Sequence, residues 1–332
     1  MHTQILDRLV AVNLDVRIWS GRKKLTAEDL ALGDEVPPED LVSLGSKRIC
    51  DPERIRVFHR LKKQAERVCL TGGTRFLGGF AIPEDRAEAV AAELDALGER
   101  FRTERSAFVA GYVDAIEDWI AQHPRWQAAL RRAVEPAATV ESRLAFGYQL
   151  FRVVPAESAG NLAEEVGSLG DTLFGEVARM ARELDQSFIG KQALSQRALS
   201  TFRRIREKLA CLAFVDYRVQ PVLDSLDEWL ARVPAKGPVE GTLFSEGFGL
   251  MLLVSDPGRM SDHGAGLLAL QELIPAAETE PAADHDEEGF EWAIEGTLGD
   301  EEPPVAQRPE TRPLTDIGYP EVVQTESDSF YF

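Results

Sequence analysis

Cysteine is scarce in this 332-residue sequence: Cys50, Cys69 and Cys211 form an odd set with no Cys-x-x-Cys pair. That argues against a disulfide framework and points to a reducing, cytoplasmic setting. Histidine is almost as rare, with five residues and no His-x-x-x-His, so no metal site is expected. His59, beside Phe58, reads as a structural histidine. The acidic run Asp284–Glu288 lacks the glycine turn and ligand spacing of a calcium loop. No stretch approaches the roughly 18–20 apolar residues that a membrane crossing needs. The N-terminal apolar pattern is interrupted by Asp7, Arg8, Asn13, Asp15 and Arg17, which is unlike a secretory signal. There is no Gly-x-Ser-x-Gly. Gly73 and Gly78 have the gap of a phosphate-binding loop, but Gly79 and Phe80 stand where Lys and Ser/Thr are required. No catalytic residue, cofactor or metal is therefore assigned, and an enzyme is not the expected class.

Charge, by contrast, is abundant and unevenly placed. The formal net charge is −19, yet residues 276–332 hold sixteen acidic and two basic groups. Residues 1–275 are close to balanced, with 40 acidic and 35 basic groups. The segment 276–332 is rich in Pro, Glu, Asp, Thr and Ala without a helical or strand period, the composition of a disordered acidic tail. It ends in Phe330, Tyr331 and Phe332, compact apolar groups suited to docking in a partner's pocket. Within the body, residues 1–82 are net basic, and three basic groups stand out. Arg22, Lys23 and Lys24 begin a polar loop; Arg56, Arg60 and Lys63 lie on the outer face of a helix at 52–70; Arg203 and Arg204 lie on a helix at 191–211. These are candidate polyanion contacts. Such residues also serve simply to keep amphipathic helices soluble.

The periodicities outline a mainly α, α+β protein. Val10, Val12, Leu14, Val16 and Ile18 alternate with polar or small residues, which predicts a strand with one buried and one wet face. Asp51-Pro52 supplies an N-cap and a first-turn proline for the helix at 52–70. Gly78-Gly79 between two short apolar segments predicts a tight hairpin. Residues 83–123 carry one long helical pattern that suggests an antiparallel hairpin or short coiled coil, broken at Pro124. Short helices at 125–134 and 137–147 precede an apolar run, 148–154, read as a further strand of the small antiparallel sheet. Helical stripes then continue from 160 to 232 and from 243 to 274. The expected organisation is 1–155, the small sheet with long helices; 156–275, a helical bundle; and 276–332, the tail.

Three strings, Trp19-Ser20-Gly21-Arg22-Lys23-Lys24-Leu25, Ser46-Lys47-Arg48-Ile49-Cys50-Asp51-Pro52 and Gly73-Thr74-Arg75-Phe76-Leu77-Gly78-Gly79, carry a family likeness. Over about 1–270 the sequence resembles an uncharacterised bacterial domain-of-unknown-function family of integrative conjugative elements. The resemblance implies a mobile-element setting beside a MoxR-type AAA+ ATPase and a von Willebrand factor A-type protein. It transfers no functional residues. Two functions follow as expectations: a non-enzymatic helical adaptor or scaffold acting with those two protein partners, or a DNA-binding accessory factor of a mobile element.

Overall fold

The computed structural model describes residues 2–30, 43–156 and 160–274. It is 63% helical with a small antiparallel sheet. The acidic segment 276–332, with Phe330, Tyr331 and Phe332, lies outside the described residues.

The first part of the chain runs α1 (His2–Leu6), β1 (Leu9–Arg17), β2 (Arg22–Lys24), α2 (Ala27–Leu30), β3 (Ser46–Arg48) and α3 (Pro52–Thr71). It continues with β4 (Thr74–Phe76), β5 (Gly79–Pro83), α4 (Ala87–Ala110), α5 (Tyr112–Ala121), α6 (Gln127–Ala133), α7 (Ala137–Ser142) and β6 (Ala145–Phe151). The second part is α8 (Leu162–Gly167), α9 (Leu169–Ala181), α10 (Asp185–Phe188), β7 (Ala193–Leu194), α11 (Gln196–Leu212), α12 (Val219–Arg232), β8 (Val239–Glu240), α13 (Gly241–Val254) and α14 (Pro257–Gly264).

The main sheet is antiparallel throughout, in the order β4-β5-β1-β6. Val12 stands opposite Phe80 on one side and Leu150 on the other. The β4–β5 turn falls on Leu77-Gly78, one residue before the glycine pair anticipated from sequence, with positive φ at both positions (46° and 73°). That is the backbone of a type I′ turn, whose twist matches the strands it joins.

The strand β1 departs from the one-wet-face expectation. Leu9, Val10, Ala11 and Val12 are all buried, and only the second half of the strand alternates. The reason is a second layer. Val10, Val12, Phe80 and Ile82 enter a core with Phe58, Leu61, Leu94 and Phe101 from α3 and α4. Leu9, Phe76 and Ala81 enter a different core with Leu173, Val177, Phe202, Leu226 and Leu250 from α9, α11, α12 and α13. The sheet is thus a wall with a hydrophobic core on each side.

The long antiparallel helices are α3 and α4. Phe58 packs on Phe101 with ring centroids 4.9 Å apart, while Val68, near the other end of α3, lines a cleft with Glu93 and Leu97. The 83–123 pattern divides at Gly111 into α4 and α5. Asp51 caps α3 as expected, accepting from the Glu53 amide at 2.9 Å, with Pro52 in the first turn.

The basic triplet Arg22–Lys24 is not loop but strand, paired with Ser46–Arg48. Behind it sits a buried carboxylate. Glu135 accepts from Lys23 Nζ at 2.5 Å, Trp19 Nε1 at 2.7 Å and Arg143 Nη1 at 2.8 Å. Burial alone would raise the Glu135 pKa; the hydrogen bonds from Lys23 and Trp19, with the nearby charges, outweigh it and lower it instead.

Candidate functional site

Helix α3 ends at Thr71 against the sheet, and its last carbonyls need partners. Lys208 of α11 supplies one. Its ammonium donates to the Leu70 carbonyl at 2.6 Å and the Gly73 carbonyl at 2.7 Å, and pairs with Glu176 Oε2 of α9 at 2.9 Å. The other Glu176 oxygen accepts from the Arg75 amide at 3.0 Å. Both side chains are buried, at 2% and 5% exposure. Desolvation pulls the Lys208 pKa down and the Glu176 carboxylate pulls it back up, with a lowered value as the balance. A cation at a helix C-terminus also meets the negative end of the helix dipole. The close packing of the chain at this point requires a glycine at 73: a Cβ would stand 2.5 Å from the carbonyl oxygens of Ala81 and Cys69.

Above this buried pair opens a groove of about 490 Å³ between α3, β4, α9 and α11. Lys63 and Arg67 come from α3, Arg75 from β4, Arg179 from α9 and Arg204 from α11, all five exposed. Glu66, Glu183 and Glu207 share the lining. Two of these acids are partnered: Arg204 pairs with Glu183 at 3.3 Å and Arg86 with Glu207 at 3.8 Å. Arg75 lies over the Phe80 ring, 4.5 Å from its centroid. On α3 the stripe continues away from the groove as Arg60 and Arg56, so Arg56, Arg60, Lys63 and Arg67 fall at spacings of four, three and four. That is one exposed helix face about 16 Å long.

The structure therefore brings together two of the basic segments singled out from sequence. Lys63 and Arg204 line one groove, with Arg60 and Arg56 on the approach and Arg203 exposed on the same helix as Arg204. Arg22, Lys23 and Lys24 do not line it; they lie on β2, where Lys23 is held by Glu135. Sequence reasoning missed Lys208, Glu176, Arg75 and Arg179. The first two carried a readable signal: Lys208 shares the apolar phase of Ile205, Leu209 and Leu212, and Glu176 that of Leu173 and Val177. Opposite charges on the inward faces of two helices mark a buried pair.

Other chemistry is sparse among the described residues. No group of three His, Cys, Asp or Glu side chains there can hold a metal ion, and no helix is long and apolar enough to cross a membrane. His59 is exposed on α3. Ser225 Oγ contacts His263 Nε2 at 2.9 Å, but the hydroxyl also donates to its own helix at the Pro221 carbonyl, a structural bond. Cys50 and Cys69 are buried, and desolvation pushes their thiols up to about 11 and about 12.

By class, then, this is a mainly helical α+β chain with a charged groove at the seam of two hydrophobic cores. A family model described as Protein of unknown function (DUF3150) matches residues 6–256, and the chain belongs to that family. No curated protein and no solved structure matches the chain.

Proposed function

We propose that the protein is a non-enzymatic DNA-binding accessory factor of a mobile element, acting in the cytoplasm. The observation that carries this reading is the convergence of the basic faces of α3 and α11, with Arg75 and Arg179, on one groove. Cations on several rigid elements around a concave surface can meet successive phosphates, and fixed geometry lowers the ordering cost of binding. The neighbouring acids mostly hold arginines in place, as Glu183 does for Arg204. Fluorescence anisotropy of the full chain with labelled DNA at 50 and 200 mM salt tests it. Affinity should fall steeply with salt, and Lys63→Glu with Arg67→Glu should flatten that slope by about two phosphate contacts. Salt-independent binding, or none at 50 mM, refutes the reading.

A second reading, an adaptor for a MoxR-type AAA+ ATPase and a von Willebrand factor A-type protein, is favoured by a different feature. The strand β6 ends the sheet; Phe151 at its C-terminal end is 48% exposed, and Val154, three residues beyond it, is 81% exposed. Such an edge can accept a partner strand. Affinity purification from the native host with wild type and with Phe151→Lys/Val154→Lys separates the readings. Loss of both partners from the variant alone supports the adaptor.

A further inference from the structure

The groove does not end at α11. Glu207, on its rim, reaches Arg86 at 3.8 Å, and Arg86 lies against Gly72 so closely that a Cβ there would stand 2.8 Å from the guanidinium. Arg86 in turn lines a cavity of about 720 Å³ with Arg8 and Phe214. Arg8 and Phe214 also line the next cavity, about 600 Å³, which includes Tyr217. The two cavities share Arg8 and Phe214 and are linked to the groove through the Glu207–Arg86 pair; taken together the three concavities make a trench from Lys63 and Arg204 to Tyr217.

The far end of this trench differs chemically from the groove. There Arg8 and Arg86 share the lining with Glu84 and Asp85, and Arg218 with Asp216, and aromatic faces join them. The Arg8 guanidinium sits 3.9 Å from the Phe214 ring centroid, which orients the ring and holds positive charge beside it. Tyr217 is 72% exposed in the short connection between α11 and α12. Its neighbours are fixed: Arg218 is bound to Asp216 at 2.6 Å and to Asp171 at 2.8 Å, and its amide donates to Asp216 at 2.9 Å. Burial raises the Asp216 pKa, but the Arg218 bonds prevail and lower it, so the pair stays charged and locked. A large, wet aromatic on a rigid loop has no packing role to account for it.

A cationic groove leading to exposed aromatic faces suits an unpaired strand. Phosphates take the cations and bases stack on the rings; in a duplex the base faces are already stacked on each other. We infer that the trench binds single-stranded DNA, with phosphates along Lys63, Arg67, Arg75 and Arg204 and a base stacked on Tyr217. This inference rests on the DNA-binding reading above and adds strand selectivity to it.

The test is anisotropy with the full chain, a 20-nucleotide oligo-dT and a 20-base-pair duplex at one salt concentration. The single strand should bind at least tenfold more tightly. Tyr217→Ala should weaken single-strand binding about tenfold with an unchanged salt slope, while duplex binding stays within twofold. Tyr217→Phe, which keeps the ring, should bind as wild type does. Equal affinity for both DNAs, or an unaltered single-strand affinity in Tyr217→Ala, overturns the inference while leaving phosphate binding intact. Absence of binding to either DNA overturns both. A twenty-nucleotide oligo-U that binds tenfold better than oligo-dT assigns the trench to RNA and also overturns it.

Discussion

Lys208 and Glu176 sit 2.9 Å apart at the one point where α3, β4, α9 and α11 come together, and the ammonium closes the C-terminal end of α3. The pair replaces water for three carbonyl or carboxylate groups that the fold has buried. Removing one partner leaves the others uncompensated, which is far costlier than removing both.

Lys208→Met should therefore destabilise the protein by about 3–5 kcal/mol. Adding Glu176→Gln should recover part of that loss, because the unpaired charge is gone. Urea unfolding of the single and double variants measures the coupling. Additive effects would mean that the two groups do not act as a pair.

Gly73→Ala should cost about 2–4 kcal/mol, since its Cβ meets two carbonyl oxygens at 2.5 Å and neither can retreat without breaking a strand or a helix end. Gly78→Ala, at an open turn position with φ of 73°, should cost only about 1 kcal/mol. Thermal melts of the two variants rank them.

Asp29 gives a pH signature. Burial works to raise its pKa, but the Lys47 ammonium, a hydrogen bond from the Thr26 amide and the Lys47 charge win and hold it at about 2. The unfolded chain titrates near the ordinary carboxylate value of about 3.9, so it binds more protons than the folded one between these points. The stabilisation is fully present above that value and is lost as pH falls through about 2. Asp29→Asn should therefore cost about 2 kcal/mol at pH 7, and the difference from wild type should shrink as pH approaches 2. Unfolding curves at pH 7, 4 and 2.5 trace the change.

Leu77 holds φ at 46° in the β4–β5 turn and is half exposed. A branched side chain in the left-handed region is strained by about 1 kcal/mol, and asparagine tolerates that region better. Leu77→Asn should raise the melting temperature, with a gain of about 0.5–1 kcal/mol. A lower melting temperature would show that the leucine packs more tightly than its exposure implies.

Sequence periodicity revealed the helices well because each carries its own apolar stripe. The Phe58, Leu61, Ala65 and Cys69 series on α3 is visible without knowing its partner. The second role of β1 was hidden, because Leu9 takes its burial from residues far along the chain, such as Leu173 and Phe202. Strand β2 was hidden too: Arg22-Lys23-Lys24 has no alternation, and its partner begins 22 residues later at Ser46. The start of β6 at Ala145 was masked by Ala145 and Gly147, weak strand formers whose pairing with Arg17 and Asp15 is decided by the strand opposite. Of the groove, the basic faces could be read from sequence but their meeting could not. That meeting depends on how α11 docks across the sheet, and the pattern of one helix does not encode its neighbour.

The two-sided wall also governs which length changes the chain can tolerate. Odd and even positions of β1 and β5 serve different cores: Leu9 and Ala81 face one, Val10, Val12, Phe80 and Ile82 the other. A single-residue insertion in β1 between Leu9 and Val12 would exchange these assignments. A sheet with one wet face could hide such a slip by exposing its apolar side to solvent, damaging one core. Here the bulky branched side chains would be turned toward the space shaped for Ala81, while small ones would face Phe58 and Phe101. Both cores would be mispacked at once. The first strand should thus be the segment in which insertions and deletions are least tolerated, and a scan of single-codon insertions should show its sharpest loss of folded protein there.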